Sequence, residues 1–215
     1  MKIKICGLKR ECDISYVNTF QPDYVGFVFA GNKRKLTIEQ AAALKEQLRS
    51  DLPSVGVFVN EDIQGIREMV SRSIIDVIQL HGDEDETYVK TLRNSIEGKG
   101  KITIIKAIRV KSPEQILQIQ EWDVDYLLLD TYTKEMYGGS GVAFDHSLIP
   151  SLKKPYFLAG GINEENVTDI LDSLKGNLPY CIDVSSSVET NGYKDKEKIE
   201  RIIKLVHGYK GKELL

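Results

Sequence analysis

The sequence predicts a single (β/α)₈ barrel spanning residues 1–215, on three observations. Eight short apolar runs punctuate the chain, longer amphipathic stretches separate them, and 215 residues is close to the smallest such barrels, about 200 residues. The runs are Lys2–Cys6, Tyr24–Phe29, Ser54–Val59, Asp76–Leu80, Thr103–Ala107, Tyr126–Asp130, Tyr156–Ala159 and Tyr180–Val184. Several are continuous rather than alternating, such as Val25-Gly26-Phe27-Val28-Phe29 and Tyr126-Leu127-Leu128-Leu129. Strands of that kind are buried on both faces, as in a parallel sheet.

Helices fit between the runs. Thr37-Ile38-Glu39-Gln40 reads as a capping box leading into Ala41–Leu48, with Thr at the N-cap and Gln at N3. Ser112-Pro113-Glu114-Gln115 opens another, with Pro at the first helical position. Asn163-Glu164-Glu165-Asn166 begins a third, with Asn163 as cap and acids in the first turn. Lys194–Val206 is the last, with Ile199, Ile202, Ile203 and Val206 at helical spacing. A doubly wound open sheet shows the same alternation; eight similar units favour closure. Ile96–Lys101 reads as a polar loop, and no linker or second zone of composition divides the chain.

The bulk numbers narrow the partners. A net charge of −3 gives no reason to expect nucleic acid or an anionic membrane, so any phosphate must be bound locally. The N-terminus MKIKICGLKR is too short and polar for a signal peptide, and no run approaches the roughly 20 apolar residues of a membrane helix. Three cysteines, with no CxxC, argue against a disulfide scaffold or zinc site. No His or Cys pair has ligand spacing, so neither metal nor cofactor is expected. A cytoplasmic monomer acting on a small phosphorylated molecule fits best. The sequon Asn166-Val167-Thr168 is then without consequence.

Active sites of these barrels lie at the C-terminal strand ends, and nearly every run ends in something chemically useful. Cys6-Gly7 follows the first; Asn32-Lys33-Arg34-Lys35 the second; Asn60 the third. Gln79, His81 and Gly82 end the fourth; Lys106 and Arg109 the fifth; Asp130 the sixth. Gly160-Gly161 follows the seventh, and Asp183, Ser185, Ser186 and Ser187 end the eighth. Phosphate often sits at the loops after strands seven and eight with a short extra helix. Gly160-Gly161 would let bare N–H groups approach an anion. Ser185–Ser187 offers hydroxyls, and 188–193 leaves room for the short helix. A plain tight turn at Gly160-Gly161 is the competing reading.

Cys6 reads as either a small buried hydrophobe or a thiolate able to remove a carbon-bound proton. Cys181, inside the last run, and Cys12, near the first helix, read as structural. Asp130, after three leucines, is partly desolvated, which favours an acid role; a structural carboxylate paired with Lys106 is equally open. Tyr137-Gly138-Gly139-Ser140-Gly141 is either a lid with glycine hinges or a plain loop. Asp83-Glu84-Asp85-Glu86 reads as an acidic first turn of a helix. His146 and His207 fall in expected helices as packing or surface residues.

Together these motifs resemble phosphoribosylanthranilate isomerases of tryptophan biosynthesis. The matching stretches are Lys4-Ile5-Cys6-Gly7, Gly26–Phe29, Gly56–Asn60, Gln79-Leu80-His81-Gly82, Leu129-Asp130, Gly138–Gly141 with Phe144-Asp145, Ala159-Gly160-Gly161, and Asp183–Ser186 with Val188-Glu189, in the family's order. The resemblance implies an Amadori rearrangement of N-(5-phosphoribosyl)anthranilate to 1-(2-carboxyphenylamino)-1-deoxyribulose 5-phosphate. It implies Asp130 as general acid on the ring oxygen and Cys6 as base at the sugar C2. Arg34, with Lys33 or Lys35 able to share its role, would meet the anthranilate carboxylate. Asp183 would lie near the amine, Gln79 and His81 would contact substrate, and Gly160, Gly161, Ser185 and Ser186 would hold the phosphate. Two departures stand out: Ser187 replaces a family glycine, which strains the turn if that position has a positive φ, and His146 replaces a family Trp. The alternatives are the related phosphoribosyl isomerase of histidine biosynthesis, disfavoured because the first strand ends in Cys6, and a non-catalytic phosphate-binding barrel.

Overall fold

Branched aliphatic side chains fill the short runs, and such residues fit a pleated, buried surface. In the computed structural model, which describes residues 1–98, 100, 102–130 and 148–210, every run becomes a parallel strand. They are β1 (Lys2–Cys6), β2 (Tyr24–Val28), β3 (Ser54–Phe58), β4 (Val77–Leu80), β5 (Thr103–Arg109), β6 (Tyr126–Asp130), β7 (Tyr156–Leu158) and β8 (Cys181–Val184). Each pairs with the next, and β8 returns to β1 with Lys2 opposite Cys181 and Lys4 opposite Asp183. The sheet is a closed barrel, which rules out the open doubly wound arrangement.

The helices described are α1 (Glu11–Phe20), α2 (Ile38–Gln47), α3 (Ile63–Ser71), α4 (Glu86–Ser95), α5 (Pro113–Ile119), α6 (Val167–Ser173) and α7 (Lys196–Gly208). Thr37 forms the expected capping box with Gln40, and the Ser112 hydroxyl accepts the Gln115 N–H. Two starts differ from expectation. Asn163 caps a preceding turn, accepting the N–H groups of Glu165 and Asn166, and α6 proper begins at Val167. Glu164 and Glu165 therefore lie before the helix. The last helix begins two residues late, because Asp195 accepts the N–H groups of Glu197 and Lys198 while Lys194 belongs to a small hairpin. Its stripe of Ile199, Ile202, Ile203 and Val206 is buried as expected.

Strand alternation splits the core in two. Ile3, Ile5, Val25, Phe27, Leu127 and Leu129 face outward beneath the helices. Val55, Val77, Ile105, Leu128, Phe157 and Cys181 fill the barrel. That explains the continuous runs: both faces are dry. The N-terminal end of the barrel is plugged by Tyr24, Tyr126 and Tyr180 around Phe157. The Tyr126 and Tyr180 ring centres lie 4.8 Å apart, and the Tyr24 and Tyr180 hydroxyls 3.2 Å apart. With that end closed, polar side chains collect at the other.

Gly56 shows how tight the outer layer is. A Cβ there would lie 2.8 Å from the Phe58 ring and 2.9 Å from Ile75 Cδ1. Gly56→Ala should therefore cost about 1–3 kcal/mol of overpacking, read as a lower urea midpoint; an unchanged midpoint would contradict this account.

Candidate active site

Period two puts Lys4 and Cys6 on one face of β1, and the same alternation turns Gln79, Asp130 and Asp183 toward the interior. Cys6 stands opposite Gly26 of β2. A Cβ on Gly26 would come within 2.7 Å of the Cys6 sulfur, so the glycine makes the space that the thiol fills. Cys6 is 8% exposed. Burial pushes its thiol above the ordinary range, while the Lys4 and Lys194 ammoniums pull the other way.

Lys4 is fully buried, with Nζ 3.0 Å from both carboxylate oxygens of Asp183. Burial alone would lower its pKa; the adjacent Asp183 more than reverses this and keeps the ammonium charged. Sequence reasoning placed Lys4 in a motif but assigned it no role. The signal was available: a lysine alternating with Cys6 in a strand that closes a barrel must point inward.

Asp130 ends β6, partly exposed, and accepts a hydrogen bond from His81 Nε2 at 3.1 Å. The Gln79 side-chain nitrogen donates to His81 Nδ1 at 2.9 Å. That bond assigns the ring proton to Nε2, facing Asp130. The alternative pairing of Asp130 with Lys106 does not form. The Lys106 ammonium instead lies 2.7 Å from Glu84 and donates to the Gly82 carbonyl at 2.8 Å. Glu84 in turn accepts the N–H groups of Asn60 and Gly82. The Asp83–Glu86 stretch is thus not one acidic first turn: Asp85 caps α4, Glu86 starts it, and Glu84 is a buried clamp on the turn after His81.

At the other side of the rim, Gly160 and Gly161 have φ of 89° and 68°, a left-handed backbone that glycine adopts freely. The Ser185 hydroxyl donates to the Cys6 carbonyl at 3.1 Å, tying the ends of β8 and β1 together. The short helix expected within 188–193 lies earlier, as one 3₁₀ turn at Ser186–Val188. The later residues form a hairpin, β9 (Glu189–Thr190) and β10 (Tyr193–Lys194). Asn191-Gly192, with φ of 52° and 78°, makes its two-residue turn, the preferred sequence for that geometry. Ser187 is not among the residues with positive φ, so serine at the family's glycine position carries no backbone strain.

Arg34 lies across Gly7: a Cβ there would meet the Arg34 side chain at 2.5 Å. Its Nε and Nη2 donate to the two oxygens of Glu189 at 2.7 and 2.8 Å. Glu189 also accepts from Lys194 Nζ at 2.8 Å. Burial disfavours the Glu189 carboxylate, but the two cations hold its pKa down to about 2. The arginine expected to meet a substrate carboxylate is thus already gripped by a carboxylate of its own chain, a partner that residues 155 positions apart could not reveal in sequence. Lys33 and Lys35 do not share this grip. Cys181 is fully buried, Cys12 lies in α1, and His207, in α7, bonds Asp23. The glycine-rich stretch 137–141, Phe144-Asp145 and His146 lie outside the described residues.

Comparison with known proteins agrees with this geometry. Residues 3–205 match the family described as N-(5'phosphoribosyl)anthranilate (PRA) isomerase. A relative from Endomicrobium trichonymphae, named N-(5'-phosphoribosyl)anthranilate isomerase, is 45% identical over 205 residues, covering 95% of this chain and 98% of its own. One from Lachnoclostridium phytofermentans is 44% identical over 216 residues, covering 94% and 96%. Among solved structures, the phosphoribosyl anthranilate isomerase of Thermotoga maritima superposes with a TM-score of 0.81 at 33% identity, covering 97% of this chain and 100% of that one. Another isomerase, solved with reduced 1-(o-carboxyphenylamino)-1-deoxyribulose 5-phosphate, gives 0.76 at 30% identity, covering 97% and 100%. With a closed barrel and polar strand ends in the family's order, this chain belongs to the N-(5'-phosphoribosyl)anthranilate isomerase family.

Proposed function

We propose that Cys6 and Asp130 carry out the two proton transfers of this chain's reaction, the isomerisation of N-(5'-phosphoribosyl)anthranilate in tryptophan biosynthesis. Asp130, as the acid, gives its proton to the ribose ring oxygen while the C1–O bond breaks. The nitrogen lone pair then forms a protonated imine. Cys6, as thiolate, takes the proton from C2. The electron pair of that C–H bond moves to the imine, giving an enolamine that tautomerises to the ketone. No redox partner is needed, because the aldehyde carbon is reduced as C2 is oxidised.

One observation carries the reading: an inward thiol beside a buried ammonium, and a carboxyl held by a histidine, both at C-terminal strand ends. Lys4 favours the thiolate electrostatically. His81, its tautomer set by Gln79, donates to Asp130 and so stabilises the carboxylate left after protonation. Gln79 and His81 thus act on substrate through Asp130. Gly160, Gly161, Ser185 and Ser186 hold the phosphate, Arg34 the anthranilate carboxylate, and Asp183 lies near the amine. The reading includes a cytoplasmic chain acting as a monomer, a point that gel filtration checks directly, since a Thermotoga maritima relative is described as dimeric.

Purified protein should consume phosphoribosylanthranilate, followed as loss of substrate fluorescence; a folded enzyme without turnover overturns the reading. Cys6→Ala and Asp130→Asn should each lower kcat by at least ~100-fold, and near-normal rates would refute the roles. Because burial raises the Cys6 pKa, the thiol is mostly protonated at neutral pH, so kcat/KM should rise as pH increases above neutrality. In Lys4→Met the pull toward thiolate is lost, the thiol pKa rises further, and that rising limb should move to higher pH. An unmoved profile would show that Lys4 serves only packing.

A further inference from the structure

We propose that Glu189 is a positioning residue that sets specificity for a carboxylate-bearing substrate by gripping one edge of Arg34 and presenting the other. This rests on the proposed function above, and deepens it.

A guanidinium is a planar fork with two edges able to take a carboxylate: Nε with Nη2, and Nη1 with Nη2. Glu189 fills the first edge with bonds of 2.7 and 2.8 Å. Among the described residues Nη1 makes no hydrogen bond, so the second edge stays available. Arg34 comes from a stretch whose neighbours Gly31, Asn32 and Lys33 are exposed, and a long side chain on such a loop would sample many rotamers. Glu189 removes that freedom because it is itself fixed. Its side chain is 5% exposed. Lys194, buried, bonds it at 2.8 Å and also donates to the Ser185 carbonyl at 2.8 Å. The guanidinium is thereby fastened to the end of β8 and to the Asn191-Gly192 hairpin, next to Gly7 and Ser185.

The charge balance fits as well. One carboxylate is shared by two cations, so the cluster keeps a net positive charge that attracts an incoming anion rather than cancelling it. A lysine in place of Arg34 would offer a single ammonium with no second edge, and Glu189 would occupy it.

The test compares two substrates: phosphoribosylanthranilate, and its aniline analogue lacking the ortho carboxylate. In Glu189→Gln, kcat/KM for the anthranilate substrate should fall ~10-fold or more, mostly through KM, the scale of a misaligned charge-assisted pair. The analogue should be turned over as by the parent enzyme. Arg34→Lys should show the same selective loss and serves if the Glu189 variant folds poorly. Adding Glu189→Gln to Arg34→Ala should cost nothing further. Equal losses on both substrates, or additive losses in the double variant, would overturn the proposal. Isothermal titration of the corresponding ketose products gives the same comparison without turnover. A parent enzyme that binds selectively but does not react would sink the catalytic reading while leaving this one standing.

Discussion

The ion pair between Lys4 and Asp183 sits at the point where the barrel closes. The two residues face each other across the β1–β8 seam, with the ammonium 3.0 Å from both oxygens and none of it reached by water. Moving two such charges out of water costs several kcal/mol each, recovered only through close pairing. The pair is therefore poor material for stability alone. Its value lies in where it holds charge. It is beside Cys6, in a barrel whose lower layers are aliphatic and aromatic, and a dry surrounding makes each charge act strongly on its neighbours.

From that seam the rest of the rim is built by short ties between strand ends. Ser185 bonds the Cys6 carbonyl. Lys194 bonds the Ser185 carbonyl and Glu189, and Glu189 grips Arg34. On the far side, Lys106 and Glu84 clamp the turn after β4, which steadies His81 against Asp130. Most of these ties involve at least one buried charged group that is satisfied by two or more partners, as the low-dielectric setting demands. The same physics gives different jobs to similar residues. Lys4 faces inward and bears on the thiol, whereas Lys106, on the outward face of β5, braces a loop.

Several features were legible before the structure. The continuous apolar runs and the caps at Thr37 and Ser112 marked their elements correctly, because hydrophobic period and capping are local. So was the cluster of reactive groups at strand ends, since Cys6 and Asp130 each close an apolar run and Asp183 lies one residue before the end of another. The helices start later than expected, at Val167 and Lys196, because Asn163 takes the N–H groups of Glu165 and Asn166 into a preceding turn and Asp195, not a residue before Lys194, caps the last helix. Where a short helix was expected after Ser187 the chain forms a hairpin, because Asn191-Gly192 adopts the positive φ of a two-residue turn.

Pairings across the barrel were beyond sequence reasoning. Strand period turns Lys4 inward, but nothing local names the partners of Lys4, Lys106 and Lys194, each of which is buried against a carboxylate at the rim. Arg34 and Glu189 are brought together only by closure of the barrel and the turn of the hairpin. The sequence by itself determined the strands, their order, and which chemistry stands at their C-terminal ends, because strand period and burial are written residue by residue. Tertiary structure alone decided which charges meet and which face the thiol, because those partners are joined by barrel closure and not by proximity along the chain.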